Sequence, residues 1–128
     1  MIVRKLDEIV GTKRDVSGPG WRSRRILTAQ DGLGYSLNDT LISPGQDLTL
    51  EYKHHFEACY CISGQGEISA QADNIVHKLE PFTIYALDKN DRHTVRAIGG
   101  EMRLICVFNP ALTGDEVHRE DGSFPVSD

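Results

Sequence analysis

Residues Glu51 to Gly64, which read EYKHHFEACYCISG, form the clearest strand pattern in the chain. Alternate side chains of a strand point to the same face. One face would carry six charged, imidazole or thiol groups, those of Glu51, Lys53, His55, Glu57, Cys59 and Cys61. The other would carry Tyr52, His54, Phe56, Ala58, Tyr60 and Ile62. Burying the first face is costly unless its groups pair or bind a ligand. That face is therefore either a solvated outer surface or the wall of a binding site.

Short strand patterns separated by turn residues fill the rest of the chain. The predicted strands cover residues 2–4, 21–28, 35–42, 67–70, 75–79, 82–87, 92–97 and 102–108. A helical turn is predicted at 7–10, a loop at 12–20 and a hairpin turn at 63–66. Many short strands with almost no helical periodicity indicate an all-β barrel or sandwich with few short helical turns.

The composition indicates one soluble domain over residues 1–128. The chain has 128 residues, and 39% of them are hydrophobic and 26% charged. Its net charge of −5 argues against a nucleic-acid partner. No apolar run approaches the roughly 18–20 residues of a membrane span, and acidic residues near the N-terminus argue against a signal peptide. We therefore expect a cytoplasmic protein whose three cysteines are free thiols, with Cys59 and Cys61 packed in the interior rather than binding zinc.

The strands at 21–28 and 35–42 predict a hairpin with a ligand-binding face. Trp21, Ser23 and Arg25 share one face of the first strand, and Asn38 and Thr40 share a face of the second. An aromatic ring, a guanidinium, an amide and hydroxyls suit a small polar ligand that carries a carboxylate. The alternative is a solvated face with a lone tryptophan.

The spacing of several residues resembles the cupin pattern. The first cupin motif carries a glycine, two metal-binding histidines, a glutamate and a second glycine, and those positions fall on Gly45, Glu51, Lys53, Glu57 and Gly64. The glycines and Glu57 match, whereas both histidines are replaced. His93, after the turn at 90–91, fits the metal-binding histidine of the second motif, whose glycine and asparagine are absent. This resemblance implies a cupin-type double-stranded β-helix, a jelly-roll barrel.

A closer resemblance, to the ectoine synthase family, covers nearly the whole chain. It rests on the segments VGT at 10–12, GPGWRSRR at 18–25, LTLEYKHH at 48–55, EACYCISG at 57–64, YALD at 85–88 and CVFNP at 106–110. The resemblance implies a cytoplasmic homodimeric hydro-lyase that depends on Fe(II) or another divalent first-row metal. Such an enzyme closes N-γ-acetyl-L-2,4-diaminobutyrate, with loss of water, to the compatible solute ectoine, an osmoprotectant made under osmotic stress.

The resemblance also implies the metal ligands Glu57, Tyr85 and His93. Oxygen and nitrogen ligands of these types suit iron or another divalent first-row ion. A bound Lewis acid would polarise the acetamide carbonyl that the substrate's α-amine must attack. The alternative for Tyr85 is a barrel-core residue with a satisfied hydroxyl.

Proton transfer needs a base near the α-amine and an acid near the leaving oxygen. The candidates are Tyr52, His55, Glu116 and His118. Tyr52 and Glu57 fall on opposite faces of an unbroken strand, so we expect a bend or bulge near residues 53–55. Glu116 and His118 lie in the polar tail at 111–128, which we expect to cover the barrel mouth as a lid. The alternative is a solvated tail.

Substrate binding is assigned to Arg25 for the carboxylate, with Trp21 and Phe108 as walls. Ser23, Asn38 and Thr40 would supply oriented dipoles, and Cys106 shares the face of Phe108. Two alternative functions stay open at this point. One is another iron-dependent small-molecule cupin enzyme, such as an oxygenase or isomerase, and the other is a non-catalytic ligand-binding cupin.

Overall fold

The computed structural model describes residues 1–114, which form two facing antiparallel sheets. The ten strands of this part of the chain are β1 Asp15–Gly18, β2 Trp21–Leu27, β3 Ser36–Ile42, β4 Leu48–Leu50, β5 Phe56–Ser63, β6 Gly66–Ala70, β7 Val76–Leu79, β8 Ile84–Leu87, β9 His93–Ala97 and β10 Met102–Asn109. Single-turn 3-10 helices lie at Leu6–Glu8 and Ala29–Asp31. Neither of these helices has the length to cross a bilayer, and no other helix occurs in residues 1–114. The expected all-β architecture with short helical turns is confirmed.

The strands are divided between a larger and a smaller sheet. The larger has six strands in the order β1-β2-β3-β10-β5-β8, and the smaller has four in the order β4-β9-β6-β7. The core fills the space between them, and β5 and β10 at the middle of the larger sheet supply much of it. Six core side chains come from these two strands, namely Cys59, Cys61, Met102, Leu104, Cys106 and Phe108.

The thiol-bearing face of β5 is the inner face. Glu57, Cys59 and Cys61 are buried, whereas Phe56 and Tyr60 on the opposite face are exposed. Of the two interpretations of the Glu51 to Gly64 stretch, the wall of an interior site is therefore correct for these three residues.

The chain bends between Tyr52 and Glu57, which would point to opposite faces of an unbroken strand. Residues 53–54 form a turn between β4 and β5, and Lys53 is exposed on it. Tyr52 and His55, on either side of this turn, are both buried. The expectation of one continuous strand face from Glu51 to Cys61 is therefore wrong, and the expected bend is confirmed.

Three further expectations about local structure are wrong. Residues 12–20 contain β1, which pairs with β2 around the turn at Pro19 and Gly20, so Gly-Pro-Gly closes a hairpin rather than a loop. The bidentate ion pair of Asp15 with Arg22 holds this hairpin. The turn at 63–66 carries the chain from one sheet to the other, since β5 and β6 do not pair. Residues 2–4 form no strand.

A buried ion network fastens the outer side of β2, β3 and β10. Asp39 accepts hydrogen bonds from Arg24 at 2.7 Å and from Arg103 at 2.9 Å. Burial raises the pKa of Asp39, but the hydrogen bonds of Arg103 and Arg24 outweigh this effect, so the net pKa is lowered. Asp39 therefore stays ionised and holds together the three strands whose inner faces form the site.

Candidate active site

The register of the larger sheet assembles the site from cross-strand neighbours. One row crosses five strands from Arg25 through Asn38, Cys106 and Cys59 to Tyr85. An adjacent row runs from Ser36 through Phe108 and Glu57 to Leu87. A third row, on the other side of the first, contains Ser23, Thr40, Leu104 and Cys61. Because neighbouring strands lie about 4.8 Å apart, residues distant in sequence form one inner surface.

One cavity lies against these rows and brings together most of the residues expected in the site. Its lining includes ten of them, Trp21, Ser23, Arg25, Asn38, Thr40, Tyr52, Glu57, Tyr85, Cys106 and Phe108. The remaining lining residues are Ile42, Leu48, Leu50, Cys59, Val95 and Leu104. The five aliphatic residues of this second group, together with Trp21 and Phe108, make the cavity largely apolar around a few polar groups. Such a lining is typical of small-molecule sites.

Two candidate metal ligands stand on the larger sheet. Glu57 is 6% exposed, and burial raises its pKa to about 7, although hydrogen bonds from the Cys59 and Cys106 thiols lower it in part. Tyr85 lies on the neighbouring strand β8, and burial raises the pKa of its phenol well above 10. Without a metal, the phenol therefore keeps its proton at neutral pH, whereas Glu57 is divided between its two protonation states.

The third candidate, His93, faces them from the smaller sheet. Its ring centroid lies 6.5 Å from that of Tyr85 and 5.7 Å from that of Tyr52. Its Nδ1 donates a hydrogen bond to the Asp91 carbonyl at 2.9 Å, since a carbonyl can only accept. Burial lowers the pKa of His93, so the ring is neutral and Nε2 carries a lone pair. Nε2 is buried and has no hydrogen-bond partner within residues 1–114. A neutral imidazole with its second nitrogen fixed in this way is how metal-binding histidines are usually held.

Two thiols lie beside the Glu57 carboxylate. The ligand atoms of Glu57, Cys59 and Cys106 lie within 4.8 Å of one another. The Sγ atoms of Cys59 and Cys106 are 3.2 Å apart, and burial raises the pKa of Cys59 well above 9. The donors of these three residues fit a divalent metal ion, whereas Nε2 of His93 is not part of this group. All three cysteines are free, as expected, but Cys59 lines the cavity rather than only packing the core.

The candidates for proton transfer divide into two groups. Burial raises the pKa of Tyr52 well above 10. Its ring packs edge to face against that of Phe108, with 5.2 Å between the two ring centroids. His55 is 2% exposed and donates from Nδ1 to the Pro110 carbonyl at 3.0 Å, so its Nε2, which has no partner among the first 114 residues, can accept a proton. Glu116 and His118 lie outside the described residues, as does most of the expected lid.

The sequence and the fold of the whole chain match one family. The sequence model of the ectoine synthase family matches residues 1–128. This chain belongs to the ectoine synthase family. The L-ectoine synthase of Desulfatibacillum aliphaticivorans is 53% identical to it over 130 residues, which cover 100% of this chain and 99% of that relative.

Solved structures agree with the family and confirm the fold. The crystal structure of ectoine synthase from P. lautus is 48% identical and superposes with a TM-score of 0.88, covering 100% of this chain and 94% of that one. A Cupin 2 conserved barrel domain protein from Salinispora arenicola, only 17% identical, superposes with a TM-score of 0.65 over 84% of this chain and 87% of its own. The second match concerns the fold alone. The expected cupin-type barrel is confirmed.

In this ectoine synthase family member, the hairpin β2–β3 places a guanidinium and two dipoles at one end of the cavity. Arg25 is 1% exposed, so its permanent charge lies inside the barrel. Ser23 Oγ and Asn38 Oδ1 are buried and have no hydrogen-bond partner in the described part of the chain. The guanidinium favours an anionic group, and the hydroxyl and amide oxygens lie ready for further contacts of a ligand.

Proposed function

We propose that this ectoine synthase family member cyclises N-γ-acetyl-L-2,4-diaminobutyrate to ectoine with loss of one water. Family membership over the whole chain supports the hydro-lyase activity. The observation that carries the substrate assignment is the cavity between the sheets. The buried guanidinium of Arg25 and the phenol of Tyr85 belong to one row of residues across the larger sheet, and Glu57 belongs to the adjacent row. A compact substrate that carries a carboxylate and an acetamide matches the kinds of group that line this cavity.

The reaction requires one bond to form and one oxygen to leave. The α-amine attacks the acetamide carbonyl carbon, so that a ring C–N bond forms. The α-amino group gives up two protons, the carbonyl oxygen receives two, and water departs as the C=N bond of the product forms. Carbon and nitrogen undergo no net oxidation, so no external oxidant is needed. The site must polarise the carbonyl and manage the two protons.

Glu57, Tyr85 and His93 would hold the metal. Their carboxylate, phenol and imidazole come from both sheets, and Nε2 of His93 carries the lone pair that such a ligand needs. When bound, Fe(II) or another divalent first-row ion supplies Lewis-acid polarisation of the acetamide carbonyl. The nearby thiol of Cys59 would stay protonated, because burial raises its pKa.

His55 and Tyr52 would exchange protons with the substrate. His55 Nε2 carries a lone pair and can take a proton from the α-amine. Tyr52 keeps its proton at neutral pH, since its pKa is raised, and can donate to the departing oxygen. Glu116 and His118 would complete this set from the tail, which would exclude bulk water as a lid.

The remaining polar groups would orient the substrate. Arg25 would bind the carboxylate with its planar fork of donors. Ser23, Asn38 and Thr40 would contact the polar atoms of the chain, while Trp21, Cys106 and Phe108 would wall the forming ring. Holding the amine over the carbonyl in this way supplies much of the rate of an intramolecular ring closure.

The test is product identification under anaerobic conditions. Purified full-length protein is loaded with Fe(II) and incubated without oxygen with N-γ-acetyl-L-2,4-diaminobutyrate, and the products are identified by NMR. We expect ectoine in stoichiometric amount. Intact, iron-loaded protein that forms no ectoine contradicts the proposal, and turnover that requires oxygen points instead to an oxygenase.

We also propose a homodimer that acts in the cytoplasm in compatible-solute synthesis under osmotic stress. The family resemblance supports both points, and the outer side of the larger sheet supports the dimer. Phe56 and Tyr60 on β5 and Ile84 on the edge strand β8 are exposed there, next to Phe82. A second copy of this chain would cover them. Light scattering after gel filtration should give twice the 14.3 kDa of one chain, and a monomer at micromolar concentration contradicts the dimer.

A further inference from the structure

Asn90 ties together the backbone on both sides of the turn at 53–54. It lies in the loop between β8 and β9, outside the cavity lining. Its side-chain Nδ2 donates to the Tyr52 carbonyl at 2.9 Å and to the His55 carbonyl at 3.1 Å. A side-chain amide has two N–H donors, so both are used on this one turn. A single side chain therefore fixes the separation of the two residues that carry the candidate acid and base.

The same loop sets the direction of the His93 imidazole. The Asp91 carbonyl, next to Asn90, accepts the hydrogen bond of His93 Nδ1 at 2.9 Å. Asn90 itself has φ of 53°, a left-handed conformation that asparagine tolerates better than most residues. This conformation turns its side chain back toward the bend at 53–54 while the following peptide leads to His93. One residue thus joins the turn that carries Tyr52 and His55 to the loop that carries a candidate metal ligand.

We propose that Asn90 is a positioning residue for the ring closure. It would keep the phenol of Tyr52 and the imidazole of His55 at a fixed place relative to His93, and so relative to the carbonyl that the metal polarises. The inference rests on the proposed function and adds a residue to it. Because the two groups act on opposite steps of one proton exchange, a shift of the turn by a fraction of an ångström should slow catalysis more than binding.

The chain offers a closely matched set of variants. Asn90→Gly removes the amide but adopts the left-handed conformation without strain. Asn90→Asp keeps the shape of the side chain but replaces the donor with an oxygen that faces two carbonyl oxygens. The control is Asn74→Gly, since Asn74 has φ of 57° and is exposed in the turn before β7. The control repeats the same backbone change far from the turn at 53–54.

The assay is steady-state cyclisation by the iron-loaded full-length enzyme, with the iron content and the melting temperature of each variant. We expect kcat of Asn90→Gly to fall by about 10- to 100-fold, with KM and bound iron each within about twofold of wild type. Asn90→Asp should be at least as slow, and Asn74→Gly should match wild type. Wild-type kcat in Asn90→Gly overturns the inference. So does activity that falls only in proportion to bound iron, or failure of both Asn90 variants to fold, because Asn90 would then serve only the metal or the fold.

A second readout does not depend on turnover. Long-range nitrogen–proton NMR spectra of the histidine rings, recorded on the metal-free full-length protein, should show one set of His55 signals with a proton on Nδ1, which donates to the Pro110 carbonyl. In Asn90→Gly that signal should shift or exchange between tautomers, whereas Asn74→Gly should leave it unchanged. An unchanged His55 signal in Asn90→Gly overturns the inference even if the wild-type protein forms no ectoine, which would by itself contradict only the proposed function.

Discussion

The protonation of Glu57 should make metal affinity depend on pH. In the metal-free protein burial raises the pKa of this carboxyl to about 7. A carboxylate must lose its proton before it binds a metal, so protons compete with the ion below pH 7. His93 adds little to this competition, since burial lowers its pKa and leaves the ring neutral. Replacing Glu57 with glutamine removes the ionisable group at nearly constant shape.

The size of the effect follows from the fraction of ionised Glu57. With a pKa of about 7, that fraction rises from roughly 0.09 at pH 6.0 to roughly 0.76 at pH 7.5. The affinity of the wild type relative to Glu57→Gln should therefore rise about eightfold over this interval. If Tyr85 binds as phenolate, both proteins gain a further pH dependence, which cancels in the ratio.

The measurement is an anaerobic competition titration of Fe(II) against a chelator, on both proteins, at several values of pH. Glu67→Gln is the control, because Glu67 alternates with the inward-facing Gly66 and Ile68 of β6 and so lies on the outer side. We expect the control to match wild type. A ratio of affinities that stays constant from pH 6.0 to 7.5, or a Glu57→Gln protein that binds iron as tightly as wild type, would refute the reasoning.

Three other outcomes follow from the same contacts. The pKa of Glu57 is raised from 4.5 to about 7 on folding, so the folded protein holds this proton more tightly than the unfolded chain. The free energy of unfolding of metal-free wild type, measured with urea, should therefore fall by about 3 kcal/mol relative to Glu57→Gln as pH rises from 4.5 through 7. Asp39→Ala should lower the free energy of unfolding by about 3–5 kcal/mol, because it leaves Arg24 buried without its carboxylate. Asp47→Ala breaks an ion pair with Arg96 that is about half exposed, and it should lower this free energy by under about 1 kcal/mol. His93→Ala should lose bound iron and cyclisation together in metal analysis and product assays, and full activity would exclude it as an essential ligand.

The alternation of residue types predicted which residues of the central strand share a face. Charged and thiol groups every second residue could not be judged buried or solvated from β5 alone. The parity conflict between Tyr52 and Glu57 nevertheless required a bend, and the turn at 53–54 supplies it. The hairpin of β2 and β3 was also predicted from the sequence, and its register sets Ser23 opposite Thr40 and Arg25 opposite Asn38.

Local sequence patterns could not predict which distant strands pair. The neighbours of β10 are β3 and β5, and this register places Cys106 beside Cys59. Cys59, which was expected only to pack the core, therefore lines the cavity. The Pro-Gly turn after β1 looked like a simple break because its partner strand was not considered. Asn90 gave only a turn signal in the sequence, since its two acceptor carbonyls lie 35 and 38 residues away.

The identity of the atoms bound to iron tests the account most directly. X-ray absorption at the iron edge of the Fe(II)-loaded, anaerobic full-length protein distinguishes oxygen and nitrogen neighbours from sulfur. Ligation by Glu57, Tyr85 and His93 predicts only oxygen and nitrogen neighbours, at roughly 2.0–2.2 Å as in comparable divalent sites. A sulfur neighbour at roughly 2.3 Å would instead place the ion on Cys59 or Cys106 and contradict the proposed centre.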